Sequence, residues 1–208
     1  MTTAAKGILV ALGAVIAVAV GLGGAFASSG GSPTDAQVVR DLRHGGLVVL
    51  LRHAAADDSA PAADGCRGQA NLTSKGRDQA LEIRRGLADA RAVVGSVLAS
   101  PLCRARETAR LVVPGAAQTV RACLVRTASD GAEAWRRKLR EVRTLLGWRP
   151  RPGTNRILVT HSEVISATTG EDVDEGDALV LRPLGHGRFA LLGQIAPDDW
   201  KRLPAPAG

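Results

Sequence analysis

Two hydrophobic periods interleave along the chain. Residues 47–51 (LVVLL) are uniformly apolar, the pattern of a strand covered on both faces, and the run ends abruptly in Arg52 and His53. Ahead of it, Thr34 to Arg43 reads as a short helix capped by Thr34 or Asp35 and ended by Gly45-Gly46. Residues 54–71 are rich in Ala, Asp, Gly and Pro and carry no period, which predicts a long loop of the kind that is often functional. Ala80, Ile83 and Leu87 recur on one helical face behind Thr73, a good N-cap. Val97 to Ala99 is a short strand, and Ser100-Pro101 opens a helix with Ser100 as cap and Pro101 at the first helical position. Trp135, Leu139, Val142 and Leu146 form the stripe of a third long helix, closed by Gly147 and Pro150. Arg156 to Thr160 is a strand leading into His161, a short helix stops at Gly170, and strands at Ala178–Leu181 and Arg188–Ile195 finish the chain. Alternating strands and helices imply α/β layers.

Composition narrows the function. At 208 residues and 45% hydrophobic content, the chain can bury one sizeable core. Aromatics are only 2% and Tyr is absent, so the core is aliphatic and the stacking platforms of single-strand nucleic-acid binders are missing; nucleic acid is not an expected partner. The net charge of +7, mostly Arg, favours a small anionic substrate or an acidic membrane surface. Residues 7–27 are apolar and uncharged behind Lys6. They read as a signal peptide cut after Ala25-Phe26-Ala27, the preferred reading, or as an uncleaved membrane anchor, because about 20 apolar residues span a bilayer. Residues 28–33 (SSGGSP) are then a flexible linker and 34–208 the working domain, exported in either case. Outside the cytosol Cys66, Cys103 and Cys123 tend to oxidise, which predicts one disulfide and one leftover thiol with three pairings open. The oligomeric state is not legible.

Strand ends carry the candidate chemistry. In open α/β sheets, ligands bind beyond the carboxyl ends of parallel strands. Here LVVLLRH delivers Arg52 and His53, SVLASPLCR delivers Ser100 and Arg104, and RILVTH delivers His161. If those strands lie parallel and adjacent, two arginines and two histidines crowd one pocket, where like charges repel unless an anion is bound. Arg104 in or just after a first helical turn opposes the helix dipole, yet the same positive end favours phosphate, so helix terminus and guanidinium can share one dianion. The plain alternative for Arg104 is a solvent-facing residue paired with Glu107 or Glu163.

LLRHAAAD, NLTSKGRDQA, VLASPLCRARETAR and ILVTHSEVISATTG, in this order, resemble the signature stretches of the histidine phosphatase superfamily, the phosphoglycerate mutase-like group, over residues 47–170. The chain is most similar to its small exported bacterial members, which also place a Cys before the Asn-Leu segment and another just before the pocket Arg. Cys66 with Cys103 is accordingly the preferred pair, both lying near these motifs. The resemblance implies a three-layer α/β/α sandwich with a mainly parallel central sheet, and a phosphoryl-transfer site without metal or cofactor. In it His53 attacks phosphorus to give a phosphohistidine, and Arg52, Arg104 and His161 hold the equatorial oxygens. Asn71 and Ser100 are implied as substrate-binding. His53 must be neutral at its attacking nitrogen, with the other nitrogen donating to a backbone carbonyl or a similar acceptor.

Expelling an alkoxide also needs a proton donor. Residues 118–134, where many members carry a Glu, offer only Asp130 and Glu133, so Glu163 beside His161 is the candidate. Ala70 stands where related exported members often carry Arg. The expected activity is hydrolysis of small phosphomonoesters rather than mutase transfer, since a chain this short offers little for a water-excluding lid. The rivals are a non-catalytic phosphate-binding domain of the cell envelope and, further off, an envelope-anchored interaction protein with a vestigial pocket.

Overall fold

The computed structural model describes residues 35–60 and 66–203; the segments at 1–27 and 28–33 and the cap Thr34 lie outside them. Helix α1 (Asp35–His44) ends where Gly45 takes φ +79° and returns its N–H to the Asp41 carbonyl at 3.0 Å. Strand β1 (Val48–Arg52) follows, then a two-residue strand β2 (Ala56–Asp57) that pairs antiparallel with β3 (Asn71–Leu72). The aperiodic loop is thus pinned at both ends. Helix α2 (Ser74–Asp89) starts behind Thr73, whose hydroxyl accepts from the Gly76 N–H at 3.0 Å, as the N-cap reading expects.

Strand β4 (Val94–Ala99) begins earlier than its apolar core suggested, and helix α3 (Cys103–Val112) starts later, with Leu102 rather than Ser100 at the cap position. A short edge strand β5 (Gln118–Val120) and a 3-10 turn (Ala122–Leu124) precede α4 (Ala132–Gly147). Strand β6 (Asn155–Thr160), helix α5 (Ser162–Thr169), strands β7 (Ala178–Gly185) and β8 (Arg188–Ile195), and a 3-10 turn (Pro197–Arg202) complete the order.

Six strands form one sheet in the order β5-β4-β6-β1-β7-β8. The first four run parallel, whereas β7 and β8 are antiparallel additions at one edge. Successive side chains of β1 enter opposite cores, which is why its run is apolar without interruption. Val49 and Leu51 pack with Val38 and Leu42 of α1, Ile83 and Leu87 of α2, and Ala105 and Ala109 of α3. Val48 and Leu50 pack with Val142 and Leu146 of α4 and Val164 and Ile165 of α5. The fold is therefore a three-layer α/β/α arrangement around a mostly parallel sheet. Among the described residues no helix is long and apolar enough to cross a membrane.

Candidate active site

Sheet register assembles the site. Leu51 pairs with Val159 and Arg52 with Thr160, while Ala99 pairs with Val159, so the next residues on the three strands emerge side by side. The His53 N–H donates to the Thr160 carbonyl at 3.0 Å and the Ser100 N–H to the Val159 carbonyl at 2.9 Å, which fixes both beside His161. Arg104, in the first turn of α3, reaches back over the same strand ends.

The contacts there determine the tautomer of each histidine. A guanidinium can only donate. Arg104 Nε donates to His53 Nε2 at 3.0 Å, so that nitrogen carries the lone pair and Nδ1 carries the proton, which it donates to the Ala54 carbonyl at 2.9 Å. The carbonyl of the next residue is thus the acceptor that sequence left unnamed. Arg104 Nη2 lies 3.5 Å from His161 Nδ1, and the other ring nitrogen, Nε2, donates to Ser100 Oγ at 2.7 Å. The two imidazoles meet edge to face, with centroids 5.1 Å apart. Thr108 Oγ1 locks this assembly, donating to the Arg104 carbonyl at 2.7 Å while accepting from the Ala54 N–H at 3.1 Å.

Both histidines are held neutral. Burial pushes His53 down to about 4, with Arg104 and Arg52 adding to the effect against the opposing hydrogen bond to Ala54. His161 is pushed down to about 3 by burial, His53, Arg104 and Arg52. Arg52 Nη1 donates to the Val173 carbonyl at 2.8 Å, and its buried Nε–H has no acceptor among the described residues. A neutral nucleophilic nitrogen beside two guanidiniums, one with an unused donor, is an arrangement that accepts a small oxyanion.

The structure brings Arg52, His53, Ser100, Arg104 and His161 together. Glu163 lies in the first turn of α5, solvent-exposed and without a hydrogen bond among the described residues; its charge, ahead of those of Asp58 and Glu175, bears on Arg104, whose pKa is lowered chiefly by burial. Arg104 is not salt-bridged to Glu107, which pairs instead with Arg77 at 2.8 Å. Asn71 is buried, and its amide donates to the Gln69 carbonyl at 2.6 Å and the Cys66 carbonyl at 3.4 Å; it makes no hydrogen bond to the pocket side chains. Cys66 and Cys103 form a disulfide, leaving Cys123 buried as a free thiol, and this bond ties the loop after β1 to the residue beside Arg104. Sequence reasoning missed Thr108, Gln79 and Glu175. The Thr of the Arg-Glu-Thr-Ala stretch, one helical turn beyond Arg104, was the available signal for the first.

The model of the histidine phosphatase superfamily (branch 1) matches residues 48–124. No curated protein matches the chain in sequence. Among solved structures it is similar to the protein histidine phosphatase SixA complexed with tungstate, at 19% identity and a TM-score of 0.54 over 74% of this chain and 98% of that one. It is also similar to the alpha-ribazole phosphatase of Shigella flexneri, at 18% identity and a TM-score of 0.54 over 70% and 94%. A phosphoserine phosphatase variant of Entamoeba histolytica in complex with phosphoserine aligns at 13% identity and a TM-score of 0.51 over 71% and 95%. At these identities the structural likeness speaks for the fold. The chain is thus similar to the histidine phosphatase superfamily (branch 1) in sequence over residues 48–124, and to these phosphatases in fold.

Proposed function

We propose that the protein hydrolyses small phosphomonoesters through a phosphohistidine on His53. The observation that carries this reading is the lone pair of His53 Nε2, held against the Arg104 guanidinium while Nδ1–H is engaged by Ala54. When a phosphomonoester dianion draws Arg104 onto its oxygens, Nε2 is freed toward phosphorus. The Nε2–P bond forms, the P–O ester bond breaks, and the departing alkoxide takes a proton from Glu163. Water then attacks phosphorus, the P–N bond breaks with its electron pair returning to Nε2, and the proton from water goes to Glu163. Arg52, Arg104 and His161 supply the charge that a loose transition state needs on its equatorial oxygens, so the reaction is metal-independent. His161 becomes a donor as the bound dianion raises its proton affinity, and Ser100 orients it. The structural neighbours named as phosphatases, and the tungstate bound by one of them, support the same chemistry.

The test is p-nitrophenyl phosphate turnover by residues 28–208, with acid-labile phosphate trapped on the protein. Wild type gives both signals; His53→Ala abolishes both, and an unchanged rate overturns the assignment. One observation favours the rival reading of a phosphate-binding domain without turnover: no carboxylate is hydrogen-bonded to a pocket arginine among the described residues, and Glu163 is exposed. Phosphate binding without a phosphoenzyme in wild type selects it. The apolar stretch 7–27 and the Cys66–Cys103 disulfide support export, by secretion or anchoring.

A further inference from the structure

Glu175 lies outside every sequence motif, yet it is the carboxylate that approaches the nucleophile. Its Oε1 is 3.9 Å from His53 Nδ1, with the Glu175 side chain 34% exposed. Several contacts hold it there. The Gly176 N–H donates to the His53 carbonyl at 3.1 Å and the Arg52 N–H to the Asp177 carbonyl at 3.0 Å, lacing the turn before β7 to the end of β1. Oε1 accepts from the Ala56 N–H at 3.3 Å. The Glu175 carbonyl accepts from Gln79 Nε2 at 3.1 Å, and Gln79 Oε1 accepts from the Ala55 N–H at 2.8 Å, so α2 braces the turn and the nucleophile loop together. Gly176 turns this corner at φ +87°, where a Cβ would meet Pro197 Cγ at 2.7 Å.

The charge facing His53 is otherwise positive. Arg52 comes from β1 and Arg104 from α3, beside the neutral ring of His161 at the junction of β6 and α5; Glu163 and Asp58 act on Arg104. In the resting site this suits the ring, which is neutral. Phosphorylation changes its state: the lone pair of Nε2 goes into the bond to phosphorus while Nδ1 keeps its proton, so the imidazole becomes a cation between two guanidiniums. A cation there leaves phosphorus as neutral imidazole when the P–N bond breaks, whereas a ring that has lost the Nδ1 proton would have to leave as an anion.

We propose that Glu175 is a positioning residue for the second half of the reaction, the counter-ion that keeps Nδ1 of phosphorylated His53 protonated and so keeps the phosphoenzyme hydrolysable. The inference rests on the phosphohistidine reading above. Glu175 does not touch the reacting phosphorus; it acts through the ring, and the proton it guards is the one His53 donates to the Ala54 carbonyl.

The test is rapid-quench measurement of phosphoenzyme decay against pH, for wild type and for Glu175→Gln, which keeps an oxygen for the Ala56 N–H. Decay is expected to lose rate on an alkaline limb as Nδ1 deprotonates. Removing one charge at this distance moves that limb to lower pH by about one unit and slows decay about tenfold on the limb itself. The phosphoenzyme then accumulates, so kcat and KM fall together while kcat/KM changes little. Glu175→Asp restores part of the limb. If the Gln variant fails to fold, titration of ¹⁵N-labelled Nδ1 in the phosphorylated wild type and in Glu175→Asp reads the same proton affinity directly. Coincident limbs in the two proteins, with a phosphoenzyme present in both, overturn the role of Glu175 alone. Absence of a phosphoenzyme in wild type overturns the parent reading as well.

Discussion

Mild acid should destabilise this fold through its two pocket histidines, and a bound dianion should cancel the effect. In the unfolded chain both titrate at their ordinary 6.5, whereas in the folded site His53 is held at about 4 and His161 at about 3, mainly by burial. Below pH 6.5 the unfolded state therefore binds protons that the folded state refuses, and stability drops as pH falls. With His53 only 7% and His161 2% exposed, solvent screening removes little of this cost. At about pH 5 each group has withdrawn about 2 kcal/mol, on the scale of about 1.4 kcal/mol per pH unit. About 4 kcal/mol together is a large share of a domain's roughly 5–15 kcal/mol, and lowers Tm by roughly 10 °C for a domain this size. Asp57, Asp130 and Asp198 are held below their ordinary 3.8, chiefly by hydrogen bonds from Ser59, Lys138 and Lys201; their stabilising effect disappears as pH falls further, below this window. The assay is calorimetric Tm from pH 8 to pH 5 for wild type and for His53→Gln/His161→Gln, each with and without sulfate, which stays dianionic throughout. Wild type falls steeply, the double variant is nearly flat, and sulfate flattens the wild type, because a dianion raises both proton affinities. Equal slopes in the two proteins without sulfate refute the reasoning.

Three further outcomes follow from individual contacts. Thr108→Val keeps the shape but strands the Ala54 N–H; chemical denaturation should show a loss of about 1–3 kcal/mol, and kcat should fall more than KM rises, because Ala54 also holds the His53 tautomer. Cys66→Ser opens a bridge spanning 37 residues, with an expected loss of about 2–4 kcal/mol in urea midpoint analysis; dithiothreitol should reproduce it in wild type and leave the variant unaffected. Gly176→Ala, forced into a left-handed φ against Pro197, should destabilise by more than about 1 kcal/mol; a gain, as Gly→Ala gives at compatible sites, would show that this corner is not strained.

What sequence revealed and what it withheld have physical reasons. Strand β1 was legible because the part of a strand enclosed by two helical layers is apolar on both faces, as Val48–Leu51 are, and β6 for the same reason over Ile157–Val159. Once those strands were recognised, the Arg and His residues at their ends marked the pocket. The start of α3 was misplaced because Ser100 followed by Pro101 looks like a cap and a first helical residue. In the fold the Ser100 hydroxyl accepts from His161 Nε2 and from the Leu102 N–H at 3.3 Å, so the helix waits until Cys103. β5 and the β2–β3 pair are too short to show a period. Glu175 sits in the acidic run 171–177, where sequence gives no reason to separate one carboxylate from its neighbours; a positive-φ corner and two main-chain hydrogen bonds select it. The acceptor for His53 is a peptide carbonyl, a group every residue carries and no side-chain pattern encodes.

The resting contact between Arg104 and His53 links recognition to reactivity. The guanidinium donates to the lone pair that attacks phosphorus in the proposed reaction, so on that reading the contact masks the nucleophile until a ligand draws Arg104 away. A neutral ligand offers the guanidinium no better acceptor than an imidazole nitrogen, and the mask stays. A phosphoryl dianion offers a charge-assisted, two-pronged acceptor, so in the proposed reaction the interaction that binds the substrate would also expose Nε2 to phosphorus. Arg52 has a buried Nε–H without an acceptor among the described residues and its Nη1 engaged by Val173, so on the same reading it holds an oxygen through Nε without giving up a contact. The proposed reaction therefore divides the work between the two arginines: Arg52 as a fixed seat, and Arg104 as a movable guard whose departure the charge of the ligand would drive.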